Sequence, residues 1–171
     1  MANAAYALRD SGISYQTLDC QAFVERCLRD LGINTNWRGS NHMFREMVTN
    51  IRIILTPNDQ MQPGTVLFTL KNDGGEKSRG YNDGIGNAAH VGIYTGMGKG
   101  AMHSTTPGGV QQCAAFDGRW THAADHKLLD YSTASSFIRS ERPREIKILL
   151  EQAIILLEGL ENDTRANSEI D

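Results

Sequence analysis

Between Asp19 and Gly32 the chain carries a segment, DCQAFVERCLRDLG, whose two ends and apolar face are all legible. Phe23, Val24, Cys27, Leu28 and Leu31 recur at three- and four-residue steps, with Glu25, Arg26, Arg29 and Asp30 between them, which predicts an amphipathic helix over 20–31. Asp19 occupies the N-cap position, where a carboxylate accepts from an otherwise unpaired backbone N–H, and Gly32 provides the stop. Cys20 then falls in the first helical turn. Cys27, on the apolar face, reads as a small buried hydrophobe.

Downstream, the pattern changes to β. A polar loop, NTNWRGSN, leads into a short helix expected around His42 to Thr49, then a β-prone run Ile51–Leu55 ended by Pro57. A Pro-Gly turn opens a buried strand, Thr65 to Leu70. The segment from Lys71 to Ala89, rich in Gly and Asn, is longer than a mere connector. HVGIYTG and GAMHST read as two strands joined by Gly-Met-Gly-Lys, and HKLLDYS as a last strand. From Ile146 to Leu160 a broad apolar face recurs on a helix expected over 141–162, followed by a polar tail, 163–171. A catalytic domain over 1–135 with that helix packing on it, or on a partner, is the expected organisation.

Composition narrows the partners. With 17 basic and 20 acidic residues and a net charge of -3, no basic stripe is present to neutralise a phosphate backbone, so nucleic acid is excluded as the main partner. MANAAYALRDSG lacks the charged start and apolar run of a signal peptide, and no run approaches the ~18 apolar residues of a membrane span. Three cysteines, Cys20, Cys27 and Cys113, are odd in number and contain no CxxC pair, which argues against a disulfide framework or a zinc ribbon.

A thiol at a helix start is favoured as thiolate by the unpaired N–H groups there, and as a nucleophile it needs a base and a group to orient the base. Of the five histidines, His90 begins a strand in which His90, Gly92 and Tyr94 share one face and Val91 and Ile93 the other. If the following turn is centred on Gly96-Met97, His103 lies directly across from His90; if on Met97-Gly98, it is a diagonal neighbour on the same face. A shift of half a step would put it on the Val91 face. His122 and His126 have the spacing of a helical metal pair but no third ligand nearby, and the Asn/Asp/Gly loop lacks the ligand ladder of an EF-hand.

LDCQAFVERCLRDLGI, QPGTVLFTL and HVGIYTGMGKGAMHS followed by GGV resemble, in order and spacing, the blocks of the NlpC family of papain-like peptidases that cut bacterial cell-wall peptides. The likeness covers about residues 15 to 112, and the long loop before His90 is similar to those of phage and prophage members. The resemblance implies an α+β papain-like fold, with the helix carrying the cysteine packed on a central antiparallel sheet and an additional C-terminal helix. It implies Cys20 as nucleophile, His90 as general base and His103 as the residue holding His90 in its productive tautomer, with no metal or organic cofactor. Asp19 would face a substrate amine, Tyr15 would stand beside the nucleophile, and Trp37 would line the groove. Gln21-Ala22 replace the family's usual Ser-Gly, which makes Gln21 a bulkier wall of the substrate pocket.

The implied substrate is the peptidoglycan stem peptide, cut between D-glutamate and a diamino acid. An amidase or acyltransferase on the same chemistry, and a non-catalytic phage tail or wall-binding module, are the alternatives. The C-terminal helix would serve self-association or a phage structural partner. Without an export signal, the protein would reach the wall on a virion or by release from the cytoplasm.

Overall fold

The computed structural model describes residues 1–35, 38–54, 61–71, 81–96 and 100–131. The helix expected over 141–162, the tail 163–171, Trp37 and residues 72–80 of the loop after Lys71 lie outside the described residues. Among the described residues no helix is long and apolar enough to cross a membrane.

The protein is α+β. Helix α1 (Ala2–Asp10) and helix α2 (Cys20–Arg29) precede a short helix α3 (Ser40–His42) that runs on as a π-turn, Met43–Met47. Six strands follow: β1 (Val48–Ile53), β2 (Val66–Lys71), β3 (Asn87–Tyr94), β4 (Gly100–Thr105), β5 (Gly109–Ala114) and β6 (His122–His126). They form one antiparallel sheet in the order β1-β6-β2-β3-β4-β5, so β6 inserts between β1 and β2. This arrangement is compatible with the papain-like one.

Helix α2 forms as its sequence dictates. The Asp19 carboxylate accepts from the Ala22 N–H at 2.8 Å. At the other end Gly32 adopts φ +79°, and the N–H groups of Gly32 and Ile33 close on the carbonyls of Arg29 and Leu28. Leu31 falls in this turn, past the last helical residue, and is exposed rather than part of the apolar face. Phe23, Val24, Cys27 and Leu28 are buried against Val66, Phe68, Val91, Ile93 and Met102 of the sheet. Helix α1, for which no helix was expected, adds Ala5 and Leu8 to this core.

Three other expectations are corrected. The helix expected to reach Thr49 gives way at Val48, because Val48 and Thr49 already pair with His126 and Asp125 of β6. The last strand is His122–His126 rather than HKLLDYS: Ala123 and Ala124 are small enough to be buried on opposite faces, whereas Leu128 is exposed in the turn that follows. Strand β5, unassigned in the sequence reading, starts at Gly109, where a Cβ would come within 2.2 Å of the Ile13 carbonyl oxygen.

The start of β3 is pinned by the α3 region. Ser40 Oγ donates to the Ala88 carbonyl at 2.6 Å, and the Ala88 N–H donates to Asn41 Oδ1 at 2.9 Å. Arg45, its side chain 7% exposed, binds Asp83 through two nitrogens, donates to the Gly86 carbonyl and lies over the Tyr81 ring. These bonds fix the chain entering β3 just before His90.

Candidate active site

Cys20 opens α2 and is partly buried at the edge of the main core. The N–H groups of Val91, Gln21 and Cys20 itself act on its sulfur and favour the thiolate. Burial is the larger influence and, with Asp19 nearby, leaves the thiol pKa above its ordinary value. The helix start therefore supplies the expected pull, but desolvation outweighs it, and a base is needed to take the proton.

Val91 is available to the sulfur because of how the sheet opens. The β3–β4 ladder pairs Ile93 with Met102 and Tyr94 with Ala101, and the paired residues end there. Beyond this point the Val91 N–H lies close enough to lower the Cys20 pKa. Ser104, on the matching part of β4, donates its hydroxyl proton to the Leu18 carbonyl, tying β4 to the turn that leads into α2.

Extended by one residue, the same register sets His103 opposite Gly92 and makes it the diagonal neighbour of His90 on one face. Of the two arrangements open in the sequence, this is the diagonal one. The rings meet: His90 Nε2 and His103 Nδ1 are 2.7 Å apart, with the ring planes at 80°. No irregularity interrupts β3 from His90 to Ile93 or β4 from Gly100 to His103. The bulge that β3 does contain precedes His90, at the shift between Thr69 and Leu70 on β2.

Two residues that the sequence reading passed over complete the pair's surroundings. Trp120 stacks on His90 at 5.5 Å and 16° and meets His103 edge-on at 5.6 Å. It fits because residue 92 is glycine: a Cβ there would stand 2.6 Å from the indole and 2.8 Å from the Met102 carbonyl oxygen. Arg119, its neighbour in the chain, donates from Nη1 to His103 Nε2 at 3.3 Å. The only signal was GRW before a strand, which by itself marks a turn.

Burial pushes the His90 pKa down, and the Arg119 charge pushes it further. His103 is driven to about 4 by burial first, then by His90 and Arg119. Both shifts favour the neutral rings at pH 7, in which one imidazole donates and the other accepts.

The other sequence candidates are placed around Cys20. Asp19 is exposed while capping α2. Burial raises the Tyr15 hydroxyl's pKa, with Cys20 and Asp19 adding to the effect, so its ring sits beside both. Gln21 donates to Glu25 at 2.9 Å one turn along, and its other amide atom faces Gly39. His122 and His126 are on a strand rather than a helix; His122 packs edge-on against Phe44, and His126 Nδ1 accepts from the Leu128 N–H.

No curated protein matches the chain at a significant level. The sequence model of the NlpC/P60 family, however, matches residues 6–128, which run from α1 to just past β6 and include every residue of the site described above. Members of that family are in general cysteine peptidases that hydrolyse cell-wall material. On a match over most of its length, this chain belongs to the NlpC/P60 family.

Proposed function

We propose that the protein is a cysteine peptidase that hydrolyses the stem peptide of bacterial peptidoglycan, with Cys20 as nucleophile, His90 as general base and His103 as the residue that orients His90. The observation that carries this reading is the 2.7 Å bond between His90 Nε2 and His103 Nδ1. It occupies one nitrogen of His90 and leaves Nδ1 for a thiol, while the N–H of the neighbouring residue, Val91, acts to lower the Cys20 pKa.

In this mechanism His90 takes the Cys20 proton and the thiolate attacks the peptide carbonyl. The C–N bond breaks, His90 returns the proton to the departing amine, and water hydrolyses the thioester with His90 again as base. The N–H groups that already face the sulfur are suited to stabilise the oxyanion in both steps. Burial of a thiol with a raised pKa fits a nucleophile that is quiet until its base engages.

The bond we assign is the one between D-glutamate and the diamino acid. Asp19, exposed at the site, offers a carboxylate for a free substrate amine, and Gln21 narrows the wall where the family usually has a small residue. The test is incubation of the purified protein, beside Cys20→Ala, with muropeptides of several wall types and identification of fragments by mass spectrometry. Fragments ending at D-glutamate, absent with the variant, are expected. Release at the sugar-proximal amide would reassign the bond to an amidase, and no new fragment from any wall type would overturn the peptidase assignment.

A further inference from the structure

Arg119 meets the histidine pair in a way that a ready general base would not require. A guanidinium has N–H donors and no lone pair, so its 3.3 Å contact makes His103 Nε2 an acceptor. The proton of neutral His103 then sits on Nδ1 and is donated to His90 Nε2 across the 2.7 Å bond. Neutral His90 is left with its own proton on Nδ1, the nitrogen that must be bare to accept a proton from a thiol.

We propose that Arg119 is a positioning residue that holds the His103–His90 pair in a resting tautomer and is drawn away from it by a carboxylate of a bound acidic peptide. The inference rests on the peptidase reading above, whose stem-peptide substrate carries such carboxylates. Arg119 is built to move: its side chain is 45% exposed, and its ion pair with Asp117 is long, at 3.7 Å. Asp117 also accepts from the Arg119 backbone N–H through its other oxygen, so it anchors the turn more than the guanidinium. A substrate carboxylate offers the two-pronged geometry that neither Asp117 nor His103 supplies.

When Arg119 leaves, three proton moves switch the pair. His103 Nε2 takes a proton from water, the Nδ1 proton crosses to His90 Nε2, and His90 Nδ1 releases its proton to solvent. The pair's net charge is unchanged, and His90 Nδ1 is now a base. The charged and titratable groups around this switch are Arg119 and Asp117 in the turn, Cys113 on β5, which feels both, and Cys20, Asp19 and Tyr15 at the start of α2. Trp120 covers the remaining side of both rings.

The primary test is the histidine tautomer, read by nitrogen-proton correlation spectra of the 15N-labelled full chain at pH 7. Wild type should carry the His103 proton on Nδ1, and Arg119→Ala and Arg119→Met should move it to Nε2; the methionine keeps the aliphatic stem and so the packing. A wild-type His103 protonated on Nε2, or one tautomer common to all three proteins, would overturn the proposal. Iodoacetamide alkylation at pH 6.5, read at the Cys20 peptide by mass spectrometry, should be about 3- to 10-fold faster in Arg119→Met, because the base is no longer masked. On stem peptide the same variant should show KM raised about 10-fold, since the carboxylate loses its partner. Loss of packing alone would not speed one reaction and weaken the other, and no change in either overturns the proposal. If wild type cuts no muropeptide, the peptidase assignment fails, while the tautomer spectra still decide what Arg119 does to His103.

Discussion

His90 Nε2 and His103 Nδ1 stand 2.7 Å apart although the two residues are diagonal, not opposite, across β3 and β4. A bond that short between imidazoles holds one proton, so the state of one ring dictates the state of the other. Because burial keeps both neutral at pH 7, the pair can transmit a change made at His103 to His90.

The first prediction concerns chemistry at this pair. Cys20→Ala should abolish turnover, and His90→Ala should lower kcat/KM by about 10³-fold or more. His103→Ala should cost about 10²-fold, with partial rescue in His103→Asn, whose amide oxygen can still accept from a proton on His90 Nε2 and so leave Nδ1 bare. The acidic limb of kcat/KM should lie below the ordinary histidine value of about 6.5, because burial and Arg119 lower the His90 pKa. A limb at or above that value would contradict His90 as the base.

Gly92 and Trp120 should act as one unit. Gly92→Ala places a Cβ 2.6 Å from the indole and 2.8 Å from the Met102 carbonyl oxygen, so both Trp120 and the β4 backbone must give. It should cost about 1–3 kcal/mol of stability and lower activity by unstacking His90. Trp120→Ala should cost about 3–5 kcal/mol. In a double-mutant cycle followed by urea unfolding, the Gly92→Ala penalty should shrink but not vanish when Trp120 is already alanine, because the Met102 oxygen still crowds the added Cβ; full additivity would mean that the two side chains do not share the strain.

Asp19 has two separable roles. Asp19→Ala removes the cap on the Ala22 N–H and should destabilise the protein by about 1 kcal/mol, whereas Asp19→Asn keeps a capping oxygen and should cost far less. If the carboxylate also receives a substrate amine, Asp19→Asn raises KM at nearly unchanged stability. An unchanged KM would confine Asp19 to capping.

Acid should unfold the protein through its histidines. His103 and His126 are both lowered to about 4, chiefly by burial, so they stay neutral when folded while the unfolded chain takes up protons below about 6.5. Stability is therefore complete above pH 6.5 and falls as pH drops from there toward 4, by about 2–3 kcal/mol for each residue at pH 4.5. Urea midpoints from pH 7 to 4.5 measure this, and His126→Gln, which cannot titrate, should flatten the slope. A stability that rises on acidification would refute the assignment.

What the sequence determined by itself was the local structure around the site: the helix from Cys20 with its Asp19 cap and Gly32 stop, the alternation that sets His90 and Gly92 on one face, and two registers for His103. Each rests on neighbours a few residues apart, where capping and side-chain periodicity act. The tertiary structure alone decided which register holds, and it brought Arg119 and Trp120 to the histidines, since their positions depend on β6 entering the sheet between β1 and β2. It also reversed the expected balance at Cys20. The N–H groups at a helix start are a local property, but desolvation sums over everything packed around the thiol, and here that sum is the larger.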